Sequence, residues 1–591
     1  MTAELPLICS AAAIAFVALA LLLPFPRSRI VSITAVALAI IAVVAPLVLA
    51  TLIDPARAGG RALWEWSAAG GPTVRASYRF DGIAAIGVAV GAAYAAAGLF
   101  GAARASRRHP LLPAAILALG LVFFALAVTE DLIAGTVVLG VLASITVLAA
   151  LPVAPLPATS RLAAYLAVGI QFFVLAALLL SRFGGASFRF DAITPPSVTP
   201  EAIVAASIGA ALFAGLYPFI PWRFQAQLRG PELERLRGVI TMPAGVAASL
   251  LLLRLLGTTR GDLTLISLPE IPAAWRAAAG LAALIPLGLA LRRGGRLPVR
   301  GAVLAGLTIA LLAAYPVLHW AHVVLIAAML SVLYAAAVSL ALPVQWDVVR
   351  YDVTLAAFWI GLAVGTPTAI AGGLFILVAD ALVALAESIW TPRHGTYVIV
   401  IAGSAAAVTG LIVVGIGALG AADVAAQGLA IAALVAIAAL VLVHVGRRLD
   451  VVNVSLALDG LATAAALGAA TLIGLAVAVP LYQGVTVAFG RPFEPAAETA
   501  PVGFLAAIAV ATLLVVVARS VRPFMPELGP FAARLQPVVA IADPIPAGQA
   551  AFAALDVIAS RATAAFGVFE QRAGVWLAML LIVAVLVWSV R

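Results

Sequence analysis

Asp131, His319, His322, Asp380 and Glu387 are ionisable side chains that stand in or beside long apolar runs, and they are the candidates to take up and release protons. An ionisable group at membrane depth is costly unless paired, so such residues mark proton or ion pathways by default. His319 and His322 are three residues apart, which places both rings on one helix face. They also sit beside Pro316 and Trp320 near a span boundary, where interfacial histidines are the competing reading. Asp131 opens an apolar run as Glu130-Asp131-Leu132, while Asp380 and Glu387 follow Gly365-Thr366-Pro367. No residue is assigned to catalysis, to a cofactor or to a metal. There is no nucleotide loop, haem ligand pair or flavin fingerprint, so any redox centre is expected on other chains. The single cysteine, Cys9, excludes disulfides within the chain and cysteine-held clusters.

These groups need elements that reach into a membrane and stop there. Two stretches have that character. The apolar run from Ala202 is interrupted at Tyr217-Pro218-Phe219-Ile220-Pro221-Trp222, and a second run is interrupted at Gly365-Thr366-Pro367, with Gly372 and Gly373 beyond it. Proline removes a helix hydrogen bond and clashes with the preceding turn. Pro218, Pro221, Pro367 and Gly372 are therefore the positions at which broken helices are expected. For Pro218 an ordinary helix end with a proline stop remains the alternative. Non-helical backbone at that depth is tolerated where it is buried in protein or lines a wet cavity.

The 591 residues are 65% hydrophobic and 10% charged, with a mean hydropathy of +1.19. Soluble domains are about 45–50% apolar and about 25% charged, so a soluble globular protein is excluded. Apolar runs recur from residue 6 to residue 590, and with about 20 residues per crossing they amount to about 16 transmembrane helices. The fold class is an all-α polytopic membrane protein. The net charge of +9 comes from arginines between apolar runs. That is a topogenic signal of cytoplasmic loops and not a nucleic-acid footprint, and it places the N-terminus outside. The first apolar segment lacks a basic start and a cleavage site, and it reads as a retained span. The long loop 54–79 is expected to face outward.

The motifs around the two breaks resemble the antiporter-like membrane subunits of respiratory complex I, membrane-bound hydrogenases and Mrp cation/proton antiporters. Gly215-Leu216-Tyr217-Pro218-Phe219-Ile220-Pro221-Trp222 and Met242-Pro243-Ala244-Gly245-Val246 carry the first half of that resemblance. Trp359 through Leu374 carries the second. The resemblance implies a 14-helix core of two inverted repeats with two broken helices. It also implies the organisation 1–109 (N-terminal helices), 110–257 (first half), 268–446 (second half), 456–521 (additional helices) and 522–591 (an amphipathic lateral segment and a final anchor). The family's proton-carrying residues are replaced. Its lysines fall on Ala164, Ala214, Pro243, Leu330 and about Ile376, its glutamate on Gly140, and its histidines on Ile220 and Ile326, with His322 in register with the first of a histidine pair.

The implied role is a non-catalytic membrane subunit of a complex I-like, hydrogenase-like or Mrp-like assembly in the cell inner membrane. It is associated with proton translocation, yet scaffold-like because its key lysines and glutamate are gone. Its partners are other membrane subunits and the lipid bilayer, with no nucleic acid. The alternatives are an autonomous cation/proton antiporter or a subunit of an inorganic carbon uptake system.

Overall fold

A computed structural model describes residues 4–22, 29–50, 62–67, 73–105, 111–154, 156–182, 187–193, 198–219, 231–259, 263–281, 284, 297–341, 346–389 and 407–450. All of them belong to the first of two compact units, Met1–Ala542. Pro221 and residues 451–591, including the spans expected at 456–521 and the segment expected at 522–591, lie outside the described residues.

The described helices are α1 (Leu5–Leu22), α2 (Arg29–Ala50), α3 (Gly82–Ala105), α4 (Leu112–Ala127), α5 (Leu132–Ala150), α6 (Leu156–Arg182), α7 (Pro200–Ala214) and α8 (Pro231–Gly257). They continue as α9 (Leu297–Ala314), α10 (Trp320–Ala341), α11 (Trp346–Val364), α12 (Pro367–Ile389), α13 (Ala407–Leu419) and α14 (Val424–Asp450). Seven stretches among them are long and apolar enough to cross a membrane. The chain is a multi-pass helical membrane protein.

Two helices lie at the centre. The apolar windows of α3 and α8 are buried throughout, whereas only 33% of the α6 window and 39% of the α14 window are buried. A helix apolar on every side has no solvent face to present, so it is enclosed by other helices or faces lipid. In α3 the composition decides between the two. Its sequence is dominated by alanine and glycine, and small residues let backbones approach closely where lipid tails remove the hydrophobic drive to associate. α3 packs against α1, α2, α4, α8 and α12. Against α4 the fit is knob to gap. Gly98 faces Ile116, Gly91 faces the Phe123 ring, and a Cβ added at Gly87 would stand 2.8 Å from that of Ala127.

A helix ends at each of the two interruptions. α7 ends at Gly215, which adopts the left-handed conformation (φ 66°) open to glycine at a helix C-cap, and the Tyr217–Pro218 bond is cis. The Tyr217 N–H then donates to Ser331 Oγ at 2.7 Å, so the freed backbone finds a partner on α10. Between α11 and α12 the turn is two residues, Gly365 (φ 71°) and Thr366. Thr366 Oγ1 accepts the Ala369 N–H at 3.3 Å and donates to the Gly417 carbonyl at 3.0 Å. Pro367 takes the first helical position, where its missing N–H costs nothing. A broken helix was expected at Pro367 and Gly372; instead α12 runs unbroken through Gly372, and the chain folds back on itself at Gly365-Thr366 because the two apolar helices pack against each other. Phe358 lies against Gly373, and Gly361 against Ala369, so α11 and α12 are antiparallel. Gly372 serves the next contact, its Cα bringing α12 against the backbone of α13 at Val414 and Gly410.

The loop 54–79 contains a small antiparallel hairpin, β1 (Ala62–Ser67) and β2 (Thr73–Ser77), that was not expected. Its strands are short and carry mixed charge, with Glu65 opposite Arg75 at 3.5 Å. Asp81 starts α3, accepting the Ala84 N–H at 2.8 Å, and is also held by Arg254 at the end of α8 through two bonds of 2.9 and 3.0 Å. Arg254 reaches the Ala127 carbonyl of α4 as well, at 3.0 Å. One guanidinium thus ties three helix ends together. Burial alone would raise the Asp81 pKa, but the Arg254 charge and hydrogen bonds outweigh it and hold the carboxyl below its ordinary value.

A folded-state pKa below the unfolded one gives stability that is present at neutral pH and lost only as pH falls through the lowered value. Asp81→Asn is therefore expected to destabilise the detergent-purified protein by about 3 kcal/mol at neutral pH. The gap to wild type should close in acid below the usual carboxylate range. A gap that persisted there would remove the ion pair as its cause. Gly91→Ala is expected to cost about 1–3 kcal/mol by overpacking against Phe123. Gly140→Ala, where an added Cβ meets only Ile170 at 3.7 Å, should leave the melting temperature unchanged.

Candidate functional site

The clearest concentration of charge among the buried helices lies where α3, α11 and α12 meet. The antiparallel hairpin sets it up, because a residue early in α11 faces one late in α12. Arg350 Nε lies 2.7 Å from Asp380 Oδ1, off the N–H axis, so this contact is an ion pair and not an aligned hydrogen bond. Arg350 Nη1 donates to Glu387 Oε2 at 2.9 Å. From the other side Tyr94, midway along α3, donates to Asp380 Oδ2 at 2.7 Å. The Arg350 guanidinium lies 4.9 Å from the centre of the Tyr351 ring, a cation–π distance. The Tyr94 and Tyr351 rings are 6.4 Å apart.

This arrangement answers the cost of charge at depth. Asp380 is 6% exposed and sits nine residues from the end of α12, about 13 Å along its axis. A carboxylate there needs a partner and hydrogen bonds, and it has a guanidinium and a phenol. Two carboxylates face one guanidinium, so the group carries a formal charge of −1 unless one carboxyl holds a proton.

Asp380 and Glu387 are thus brought together, on one helix and through one arginine. Arg350 and Tyr94 were not anticipated. α11 begins at Trp346 and carries Arg350 into the bundle. Asp131 is elsewhere. It caps α5, accepting the Ile133 and Ala134 N–H groups at 2.8 and 3.0 Å, and takes the Arg75 N–H of the hairpin at 3.3 Å. Burial pushes its carboxyl up against the pull of those N–H bonds. Beside it Arg189 pairs with Glu130 at 3.3 Å and Asp191 at 2.5 Å.

His319 and His322 share the start of α10, as their spacing implied, and meet Asp423 at the start of α14, a residue not anticipated. His322 Nε2 is 2.8 Å from Asp423 Oδ2. Two positions where the resembled family carries titratable groups are apolar and enclosed. Ala214 is fully buried, and Ile376 is buried one turn before Asp380. The hydroxyls in the bundle join helices: Trp320 Nε1 donates to Ser207 Oγ at 2.8 Å and Trp359 Nε1 to Ser249 Oγ at 2.9 Å.

Arg350→Met leaves Asp380 and Glu387 without their cation, and removing one partner of a buried pair costs about 3–5 kcal/mol. Adding Asp380→Asn to that variant should recover part of the loss. Equal losses for the single and double variants in thermal melts would show that the residues are not coupled.

No family model matches the chain, and no curated protein matches it. Among solved structures it is similar to a chain of the Mrp complex from Dietzia sp. DQ12-45-1b, at 16% identity with a TM-score of 0.61. The similarity covers 100% of this chain and 63% of that one, so the chain spans less than two thirds of its relative's length. Weaker likenesses are to a chain of respiratory complex I from Thermus thermophilus (17% identity, 86% of this chain and 99% of that one, TM-score 0.49) and to the archaeal membrane-bound sulfane sulfur reductase (13% identity, 91% and 99%, TM-score 0.46). The chain has the polytopic antiporter-like fold that its motifs resemble.

Proposed function

We propose that the chain is a membrane subunit of a complex I-like or Mrp-like assembly, working as a scaffold beside the proton-translocating subunits and conducting few protons on its own. One observation carries this reading. The antiporter-like fold is kept, while Gly140, Ala214, Ile326, Leu330 and Ile376 stand where the resembled family has titratable groups, and none of these side chains can bind a proton.

A proton crossing hydrocarbon needs titratable groups or ordered water at short intervals, and the expense of isolated charge at depth is what makes gaps effective barriers. In the first half, α5, the part of α7 from Ala202 to Ala214 and the part of α8 from Gly238 to Leu253 offer hydroxyls but no ionisable side chain. In the second half, Asp380 and Glu387 are both held by the single guanidinium of Arg350. Its partners on this reading are other membrane subunits and the surrounding lipid, and its site is the cell inner membrane. Redox chemistry belongs to partner chains.

The test is reconstitution of the purified chain into liposomes with an imposed pH gradient and an enclosed pH-sensitive dye. Flux close to that of empty liposomes is expected. Flux well above that level, abolished by Asp380→Asn or His322→Ala, would replace the scaffold by an autonomous cation/proton antiporter.

A further inference from the structure

His319, His322 and Asp423 each offer one ligand atom within 4.8 Å of the others, the one such grouping among the described residues. Local backbone chemistry fixes all three. His319 is the N-cap of α10, and its N–H donates to His322 Nδ1 at 3.1 Å, a histidine taking the role that glutamate or glutamine plays in a capping box. The chain before it is pinned as well, since the Trp320 N–H donates to the Ile266 carbonyl at 2.9 Å. Asp423 caps α14, its Oδ1 accepting the Ala425 N–H at 2.8 Å.

Capping leaves three donor atoms unspent. Asp423 Oδ2 is free of the cap and lies 2.8 Å from His322 Nε2, yet Nε2 makes no aligned hydrogen bond. His319 Nδ1 is buried with no hydrogen-bond partner, and the two rings are 5.5 Å apart. His322 is 6% exposed, while the Asp423 side chain is 19% exposed, so the cluster is enclosed but reachable from one side. A buried ring nitrogen without a hydrogen bond, as His319 Nδ1 is, beside an imidazole and a carboxylate calls for an explanation, and an ion is among the usual ones.

We propose that His319, His322 and Asp423 form a site for a divalent d-block cation of the Zn2+ kind, which staples the start of α10 to the start of α14. Two imidazoles and one carboxylate suit such an ion, whereas Mg2+ and Ca2+ take oxygen ligands. Three protein ligands leave a fourth tetrahedral position for water. Ligands at about 2.0–2.2 Å from the ion stand nearer one another than 4.8 Å, and rotation of the side chains at fixed backbone is the adjustment required. Binding also moves the His322 proton from Nε2 to Nδ1, so the backbone bond of the capping box is exchanged for coordination. The proton stays on the His322 ring, and the step releases none.

The experiment uses the full chain, purified without a histidine tag in detergent, titrated with Zn2+ by calorimetry and with Co2+ by its visible absorption. One ion per chain is expected, together with a rise in melting temperature on adding Zn2+ and no competition from Mg2+. Changes outside the ligand shell of a metal site already cost about 10–100-fold in affinity. His319→Ala, His322→Gln and Asp423→Asn should each lose at least that much. Glutamine keeps the capping box and asparagine keeps the cap of α14, so these two variants remove ligands while sparing the helix starts. The His319 imidazole makes no hydrogen bond, and His319→Ala decides the matter should His322→Gln fold poorly. Zn2+ binding unchanged in His319→Ala, or no binding and no thermal shift in the wild-type chain, would overturn the proposal.

Discussion

Close approach of helix backbones around α3 is the constraint on which the rest of the structure depends. In lipid, burying an apolar side chain against another helix gains little over leaving it among acyl chains, so association rests on packing contact and on hydrogen bonds between helices. The alanines and glycines of α3 let five neighbours come near, and the ring of Phe123 and the side chain of Ile116 fill gaps that a Cβ would close. The same device recurs where Gly372, Gly410 and Gly417 bring α12 and α13 into backbone contact.

Once the backbones are close, polar groups can reach partners that they would otherwise lack. Tyr94 reaches Asp380 because α3 lies against α12, and Arg254 reaches Asp81 because α8 ends beside the start of α3. Each pairing removes a penalty more than it adds a gain, since a buried ion pair roughly offsets its own desolvation while a lone buried charge does not. The two ion clusters therefore differ in kind. Asp81 and Arg254 match one charge with one charge and close helix ends. Arg350, Asp380 and Glu387 leave one negative charge over, which is where chemistry remains open.

The breaks in the helices show how non-helical backbone survives among apolar residues. At Tyr217 the freed N–H finds Ser331, and at Thr366 the hydroxyl both caps α12 and reaches Gly417. In a membrane such groups need protein partners. The frame around the breaks is thus self-sufficient, and it holds its shape without the titratable residues that the resembled family places beside it.

Composition and apolar run length by themselves determined the class, since 65% hydrophobic residues cannot be covered by so few polar ones in water. Proline and glycine spacing located the ends of α7 and α11, because their backbone limits act within a turn or two and need no knowledge of neighbours. The spacing of His319 and His322 likewise settled that they share a face. Other features depended on distant partners. That the run 352–386 doubles back rested on a two-residue turn whose direction is set by what α11 and α12 pack against, and apolar periodicity carries no sign of direction. The pairing of Arg350 with Asp380 and Glu387, of Arg254 with Asp81, and of His322 with Asp423 joins residues between 30 and 173 positions apart in the chain. A charge near the end of an apolar run looks the same in sequence whether it meets water or another helix. Only the tertiary fold, by placing helix ends side by side, decided which of these charges were solvated and which were bound to one another.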